Sequence, residues 1–429
     1  MKKIVLLLAA LVLSLSLAAA PAEVNITFWH SMSEEAGQLM DQFVSEFNDT
    51  IGKQEGITVT SVFQGKYSDA VTKLNSILST NQLDSLPDVM QLDATGKVPF
   101  ASAPNAYTID QAVKDHPDAD LSQYLAPALS NWNLAGTQLG LPFATSTTVL
   151  FYNKTALDAA GVEAPSTLAD IAALPAKLDV KDLSIYSCLP NSPLLANWLG
   201  QLGSNLVDQN NGTEGTATQL DCIDNGALLT FLKEWKALYE SGALTNAEPS
   251  GDAFAAGKLL LITGSSSNVS SNLEKINGSF EMGVSFFPRI NESASIGATV
   301  SGSCLSIFDQ GEERRNAAWT FISFLTSADI QARFASGTGY LPANTGAAQS
   351  QTWKDLIAQY PQYDVGLQQL SQTPDSMRSV TVGPSIDFYY AIQNDVSDML
   401  EQDMTPEETA EIMADDLNGM LTQYLRANQ

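Results

Sequence analysis

Between residues 24 and 93, β-rich runs alternate with amphipathic helical runs. "VNITFW" (24–29), "ITVTSVF" (57–63) and "PDVMQLD" (87–93) read as strands. In "SEEAGQLMDQFVSEFN", Ala36, Leu39, Met40, Phe43, Val44 and Phe47 recur at three- and four-residue steps, which makes a one-sided apolar helix. "YSDAVTKLNSILST" (67–80) repeats that pattern before the third strand. Strands separated by helices of this length need crossovers, so the expected fold is α/β, with right-handed βαβ units on mostly parallel sheets. In such sheets ligands gather outside the carboxyl ends of the strands. That rule selects Trp29-His30-Ser31, Gln64-Gly65-Lys66-Tyr67 and Asp93.

A second block begins near "GLPFATSTTVLFYNKTAL" (140–157), where "TTVLFYN" is a strongly β-forming run and a helix starts near Lys154. Further on lie a helix at 227–242, a buried strand "LLLIT" and a small-polar loop at 264–267. Near 297 a β-rich run, "GATVSGSCLSIF", returns and leads into the helix "RRNAAWTFISFLTS". Thr405, Pro406 and Glu408 spell an N-cap, a proline at the first helical position and a capping-box acid for a final helix. The chain, 44% hydrophobic, is long enough for two cored domains. One lobe is expected over 23–138 with 296–349 returning to it, and a second over 139–295 with 350–429 packed on it.

Residues 1–22 read as a secretory signal. Lys2 and Lys3 precede an apolar run from Ile4 to Leu17, and Ala20-Pro21-Ala22 supplies the small-x-small cleavage pattern. The run is shorter than the ~20 residues that span a bilayer, and no cysteine lies near the cut to accept a lipid. An exported, soluble, periplasmic monomer is the expectation. Removing the two lysines takes the formal charge from −27 to −29, which argues against nucleic acid and anionic lipid as partners. Of the three cysteines, Cys188 and Cys222 could close a disulfide in an oxidising compartment, while Cys304 reads as a buried apolar residue.

Catalysis finds little support. His30 and His116 are the only histidines, no G-x-S-x-G elbow occurs, and no cysteine or histidine spacing suits a metal. "GTGYLPANTGA" (337–347) is glycine-rich but lacks a phosphate-cradling pattern, so no nucleotide, metal or other cofactor is expected. Paired carboxylates for glycoside hydrolysis carry no specificity among 48 acids, which leaves a secreted hydrolase as an alternative. Aromatics and small hydroxyls at strand ends suit a binding cleft for a small polar ligand instead. Trp235 and Trp319, on helical stripes, read as core. Trp29 and Tyr67 stay open between core and ligand wall.

"FWHSM" (28–32), "FQGKY" (63–67), "LPFATSTTVLFYNKTAL" (141–157) and "TGYLPANTGA" (338–347) together resemble the extracellular solute-binding proteins of ABC importers. More narrowly they resemble the glycerol-3-phosphate and glycerophosphodiester-binding group, relatives of the maltose-binding proteins. The resemblance implies two lobes joined by a hinge, no enzymatic activity, and delivery of a captured ligand to an inner-membrane permease. It implies a cleft formed by Tyr67, Asp93, Ser146, Trp198, Ser266, Gly302 and Tyr340. Leu195 stands where members that bind the bare glycerophosphate tend to carry an aromatic, which leaves room for a head group such as that of glycerophosphocholine.

One departure bears on the ligand. The group's phosphate-pairing arginine sits in a Pro-x-Ile-Arg run, and here that run is Pro384-Ser385-Ile386-Asp387. An aspartate cannot donate to phosphate. Either Arg378 reaches the site from a neighbouring turn, or the ligand is not a phosphate, and a carboxylate there suits sugar hydroxyls or a cationic group. The resemblance implies glycerol 3-phosphate or a glycerophosphodiester, with a mono- or oligosaccharide as the alternative. His30 has no catalytic partner in the sequence, so Trp29-His30-Ser31 reads as cleft wall.

Overall fold

The computed structural model describes residues 23–178 and 183–427, and the expected signal segment lies outside the described residues. Strand Val24–His30 lies parallel to Ile57–Phe63 in unbroken register, from Val24 opposite Ile57 to His30 opposite Phe63. The helix between them, Glu34–Phe47, buries Met40, Phe43, Val44 and Phe47, the stripe that its spacing predicts. Strand Val89–Leu92 joins parallel on the other side, with Trp29 opposite Met90.

A thirteen-residue strand, Leu141–Asn153, ties the molecule together. Its first half pairs antiparallel with Val300–Phe308, from Thr147 opposite Val300 to Leu141 opposite Leu305. Its second half pairs antiparallel with Leu259–Ser265 on one side and Met282–Phe286 on the other. The passage from one lobe's sheet to the other therefore falls at Thr147–Thr148, inside the strand rather than ahead of it. Only the second half had read as a strand. Beyond Leu259–Ser265 the pairing returns to parallel through Ser184–Ser187 and Leu244–Thr245. The sheet is thus mixed: parallel where helices make crossovers, antiparallel around the two strands that run between the lobes.

The cores follow this division. Phe28, Phe43, Phe47, Phe143, Leu305 and Phe321 pack on one face of the first sheet, and Trp29, Leu74, Met90, Phe100 and Trp132 on the other. In the second lobe the helix Ala227–Glu240 packs with Ser385–Glu401 and Pro406–Ala427 around Trp198, Phe231 and Trp235. The last helix opens with the predicted capping box, in which Thr405 N donates to Glu408 Oε2 at 3.0 Å and Glu408 N donates to Thr405 Oγ1 at 3.2 Å. Among the described residues no helix is long and apolar enough to cross a membrane.

All three cysteines are free and buried, so the considered Cys188–Cys222 bridge does not form. Each thiol is engaged elsewhere. Cys188 Sγ accepts from Thr263 Oγ1 at 3.6 Å, and Cys222 Sγ donates to the Leu206 carbonyl at 3.6 Å.

Candidate functional site

The carboxyl ends of the three opening strands converge on Gln91, which is buried in the first lobe's sheet. Its Oε1 accepts from Ser31 N at 3.1 Å, and its Nε2 donates to Tyr67 Oη at 3.1 Å and to Ser303 Oγ at 2.7 Å. One amide thus joins the turns after two strands to the strand that returns from the second lobe. Tyr67 is the first residue of the helix Tyr67–Ser79, so its position is set by the strand–helix turn. Burial pushes its hydroxyl pKa well up, and the nearby Tyr340 hydroxyl and Asp93 carboxylate push it further. Asp93 Oδ1 accepts from Thr95 N at 3.1 Å and Thr95 Oγ1 at 2.6 Å, while burial raises its pKa. Tyr340 stacks on Phe334 at 5.6 Å and faces the Ser267 hydroxyl of the second lobe.

The return strand reaches this cluster through a bulge at Ser303/Cys304. Gly302, just before it, has φ +107°, and a Cβ there would lie 1.7 Å from the Ala144 carbonyl oxygen. Only glycine fits that backbone. Ser146 lies opposite Ser301 and is buried, and Ser266 Oγ accepts from Thr147 N at 3.2 Å. Two buried hydroxyls beside the cluster, Ser31 Oγ and Thr145 Oγ1, have no protein partner. Buried polar atoms left in that state point to a water or a ligand group.

Several expected contributors sit elsewhere. Trp29 is buried on Leu74 and Met90 with Lys73 Nζ 3.9 Å from its ring centre, so its face is covered. His30 is buried between Phe28 at 5.5 Å and Phe63 at 5.9 Å, and burial lowers its pKa against the opposing pull of Asp41. The cleft-wall reading is therefore corrected to packing for both, because alternate residues of a strand face opposite buried layers. Of that triplet only Ser31 turns toward the cluster, through its N–H. Leu195 and Trp198 are likewise corrected. Both are fully buried, Trp198 donates from Nε1 to the Pro288 carbonyl at 3.1 Å, and Phe287, Trp235 and Phe231 lie 4.8, 5.1 and 5.4 Å away. Their helix, Ser192–Gln201, is enclosed on nearly every side.

Arg378 and Asp387 do not share a cavity. Arg378 lines a narrow crevice with Pro127, Asn131 and Thr373 and has no ion-pair partner among the described residues. Asp387, exposed in the first turn of Ser385–Glu401, lines a cavity of about 390 Å³ between the lobes, with Thr72, Thr95, Val98 and Tyr424. The idea that Arg378 substitutes for the missing arginine beside Asp387 is not met by this geometry.

The model of the bacterial extracellular solute-binding protein family matches residues 42–362. The chain belongs to that family. It is 26% identical over 378 residues to the sn-glycerol-3-phosphate-binding periplasmic protein UgpB of Yersinia pseudotuberculosis, covering 85% of this chain and 84% of the relative. Among solved structures it resembles UgpB from Mycobacterium tuberculosis in complex with glycerophosphocholine, with TM-score 0.78, 20% identity, and 94% and 100% of the two chains covered. The cyclic α-maltosyl-1,6-maltose-binding protein of Arthrobacter globiformis gives TM-score 0.77 at 18% identity, with 94% and 100% covered. These likenesses establish the periplasmic-binding-protein fold.

As a solute-binding protein of an ABC importer, the chain captures a small ligand for a permease, and its relatives are binding proteins of the periplasm or cell exterior. Among the described residues no group of three or more His, Cys, Asp or Glu side chains is placed to hold a metal ion. Gln91, Ser303, Thr145 and Lys97 belong to the site's surroundings and were not singled out from the sequence. The available signal was Gln91 itself, a neutral amide inside an otherwise apolar strand run.

Proposed function

We propose that this solute-binding protein serves a periplasmic ABC importer as a monomer, and that it captures a neutral polyhydroxylated solute, a mono- or oligosaccharide, between its lobes. The carrying observation is the chemistry of the cluster: Tyr67, Gln91, Asp93, Ser303 and Tyr340 offer hydroxyls, an amide and a carboxylate. Such groups match sugar hydroxyls, which both donate and accept. A phosphate is held most strongly by donors with positive charge, and Asp387 occupies the run where the resembled glycerophosphate group carries arginine. Tyr67, Asp93, Ser146, Ser266, Gly302 and Tyr340 are the proposed ligand contacts, while Asp387 lines a neighbouring interlobe cavity that contains none of them. Closure of the lobes follows from tighter binding to the closed arrangement.

A second reading is a glycerophosphodiester such as glycerophosphocholine. The Mycobacterium tuberculosis neighbour, solved in complex with glycerophosphocholine, supports it, and the exposed Asp387 carboxylate beside the interlobe cavity suits a cationic head group.

Thermal-shift and calorimetric titration of ligand-stripped protein with maltose, glucose, glycerol 3-phosphate and glycerophosphocholine separates the readings. A ligand at a hundred times its Kd adds about 2.7 kcal/mol of stability, which is readily seen in a melt. The sugar reading expects a response to a sugar and none to glycerol 3-phosphate. A response to glycerophosphocholine alone transfers the assignment to the second reading. Turnover of a glycoside or diester would replace both with a hydrolase.

A further inference from the structure

Lys97 opens the short helix Lys97–Ser102 and is 1% exposed. Its Nζ has no hydrogen-bond or ion-pair partner among the described residues and lies 5.2 Å from the Trp132 ring centre. An ammonium buried without a partner carries a desolvation cost of several kcal/mol, and a cation–π contact offsets only part of it. Its charged or titratable neighbours are two, Asp93 and the Cys304 thiol. Burial pushes that thiol up to about 12, so it is neutral and supplies no charge. Asp93 is left as the one counter-charge, one helical turn earlier in the chain and at the edge of the ligand cluster.

The same relation holds from the other side. Asp93 is faced by Thr95, the Gly96 amide, Lys97 and, across the cluster, the Tyr67 hydroxyl. Lys97 is the only cation among them. Yet the two groups do not form a contact pair, since no bridge within 4.0 Å joins them. A direct bridge would occupy the carboxylate; a charge held behind it stabilises the anion and leaves its oxygens open.

We infer that Lys97 is a positioning residue for ligand capture: a buried counter-charge behind the site that keeps the Asp93 carboxylate available to accept hydrogen bonds from ligand hydroxyls. The inference rests on the neutral-ligand reading, because a cationic ligand would supply its own counter-charge. Burial draws Lys97 down to about 8, which still leaves it mostly protonated at neutral pH. For Asp93, burial raises the pKa and Lys97 works against that rise.

The test is a carbon-13 NMR titration of the Asp93 carboxyl in ligand-free protein, assigned with Asp93→Asn, in wild type and Lys97→Met. The expected result is a midpoint about 1 pH unit or more higher in Lys97→Met. Should Lys97→Met not fold, Asp93→Asn gives the reciprocal reading, a lower midpoint for the Lys97 side chain. An unmoved midpoint in the variant that folds overturns the coupling, whereas a purely structural role for Lys97 leaves the midpoint in place. Affinity for the sugar that stabilises wild type is then measured about one pH unit below the wild-type Asp93 midpoint and at about pH 7.5. The Lys97→Met loss should be about tenfold greater at the lower pH. Equal losses at both pH values overturn the role in capture. Absence of sugar binding by wild type removes the neutral-ligand reading instead, and the ligand-free titration still decides the coupling.

Discussion

Replacing Gln91 by methionine keeps side-chain length and volume and removes three hydrogen bonds at once. Two of the partners, Tyr67 Oη and Ser303 Oγ, accept from Gln91 Nε2 and are hydroxyls that can rotate to meet other donors. The third, Ser31 N, is a backbone donor with no such freedom. Taking about 0.5–1 kcal/mol for each hydroxyl bond and about 1–3 for the orphaned amide, the expected loss is about 3 kcal/mol. For a unfolding unit of 150–250 residues, that lowers the melting temperature by about 6–12 °C. A double-mutant cycle with Ser303→Ala isolates the 2.7 Å bond and should return a coupling of about 1 kcal/mol.

Ligand affinity should fall as well, because the Tyr67 hydroxyl loses the donor that orients it. A tenfold weaker Kd corresponds to about 1.4 kcal/mol and is the size expected from one misplaced hydroxyl. Calorimetry at a temperature where both proteins are folded separates this from stability. An affinity within twofold of wild type would show that the Gln91–Tyr67 pair is scaffolding remote from the ligand. A melting temperature lowered by less than about 2 °C would show that the Ser31 amide finds water, and the energetic reasoning would be wrong.

Three further outcomes follow from the geometry. Gly302→Ala forces a Cβ into the Ala144 carbonyl at a backbone angle of +107° and should cost about 3 kcal/mol or more in urea denaturation. Trp198→Leu should lower stability by about 3 kcal/mol while leaving the residual folded protein's affinity within a few-fold, as suits a core residue rather than a ligand wall. Asp395, between the C-terminal helices, has its carboxyl pushed up to about 6 by burial, with Asp416 and Asp398 adding to the rise. The folded state therefore holds that proton more tightly than the unfolded chain, so stability falls as pH rises from about 4 through about 6. Asp395→Asn should remove that slope and stabilise the protein at pH 7.5 by about 1 kcal/mol, after discounting for partial exposure, as read from melts across pH.

The opening βαβ unit was legible because its signal is local. Phe43 and Phe47 recur at helical spacing, and Ile57 and Val59 alternate toward the core. The Thr405–Glu408 cap was legible for the same reason: it is a contact three residues long. The strand Leu141–Asn153 was only half legible, since "LPFATST" mixes small polar residues that are buried solely because the return strand lies against them. His30 and Trp29 were placed correctly at a strand end, but side-chain direction there depends on which layers cover each face. Trp198 is not readable from local pattern because its helix is covered on nearly all sides by segments as distant as Ser385–Glu401, with Asn191 bonded to Tyr389, 198 residues away. Gln91 escaped notice for the converse reason. Its partners come from three separate segments, and only the tertiary structure assembles them.

The proposed site and the point of passage between the lobes also share structure, which would give ligand capture a route to lobe movement. At the crossing, Thr147 Oγ1 donates to the Thr299 carbonyl at 3.1 Å and accepts from Gln369 Nε2 at 3.1 Å, while Thr147 N donates to Ser266 Oγ at 3.2 Å. Gln369 also accepts from Phe287 N at 2.6 Å, and Asn197 Oδ1 accepts from Thr299 N at 2.9 Å. Both crossing strands are therefore gripped by second-lobe side chains, so bending there is confined to a few residues. Ser266 and Ser267 belong to one short 3₁₀ turn, Ser266–Asn268. The first bonds the crossing strand, and the second faces Tyr340 of the ligand cluster. A ligand that orders Tyr340 against Ser267 thus acts on a turn already bonded to the hinge. On the proposed ligand contacts, a solute held only by Tyr67 and Asp93 would lack that connection, and the Tyr340–Ser267 pair would be the element through which occupancy of the cleft favours closure.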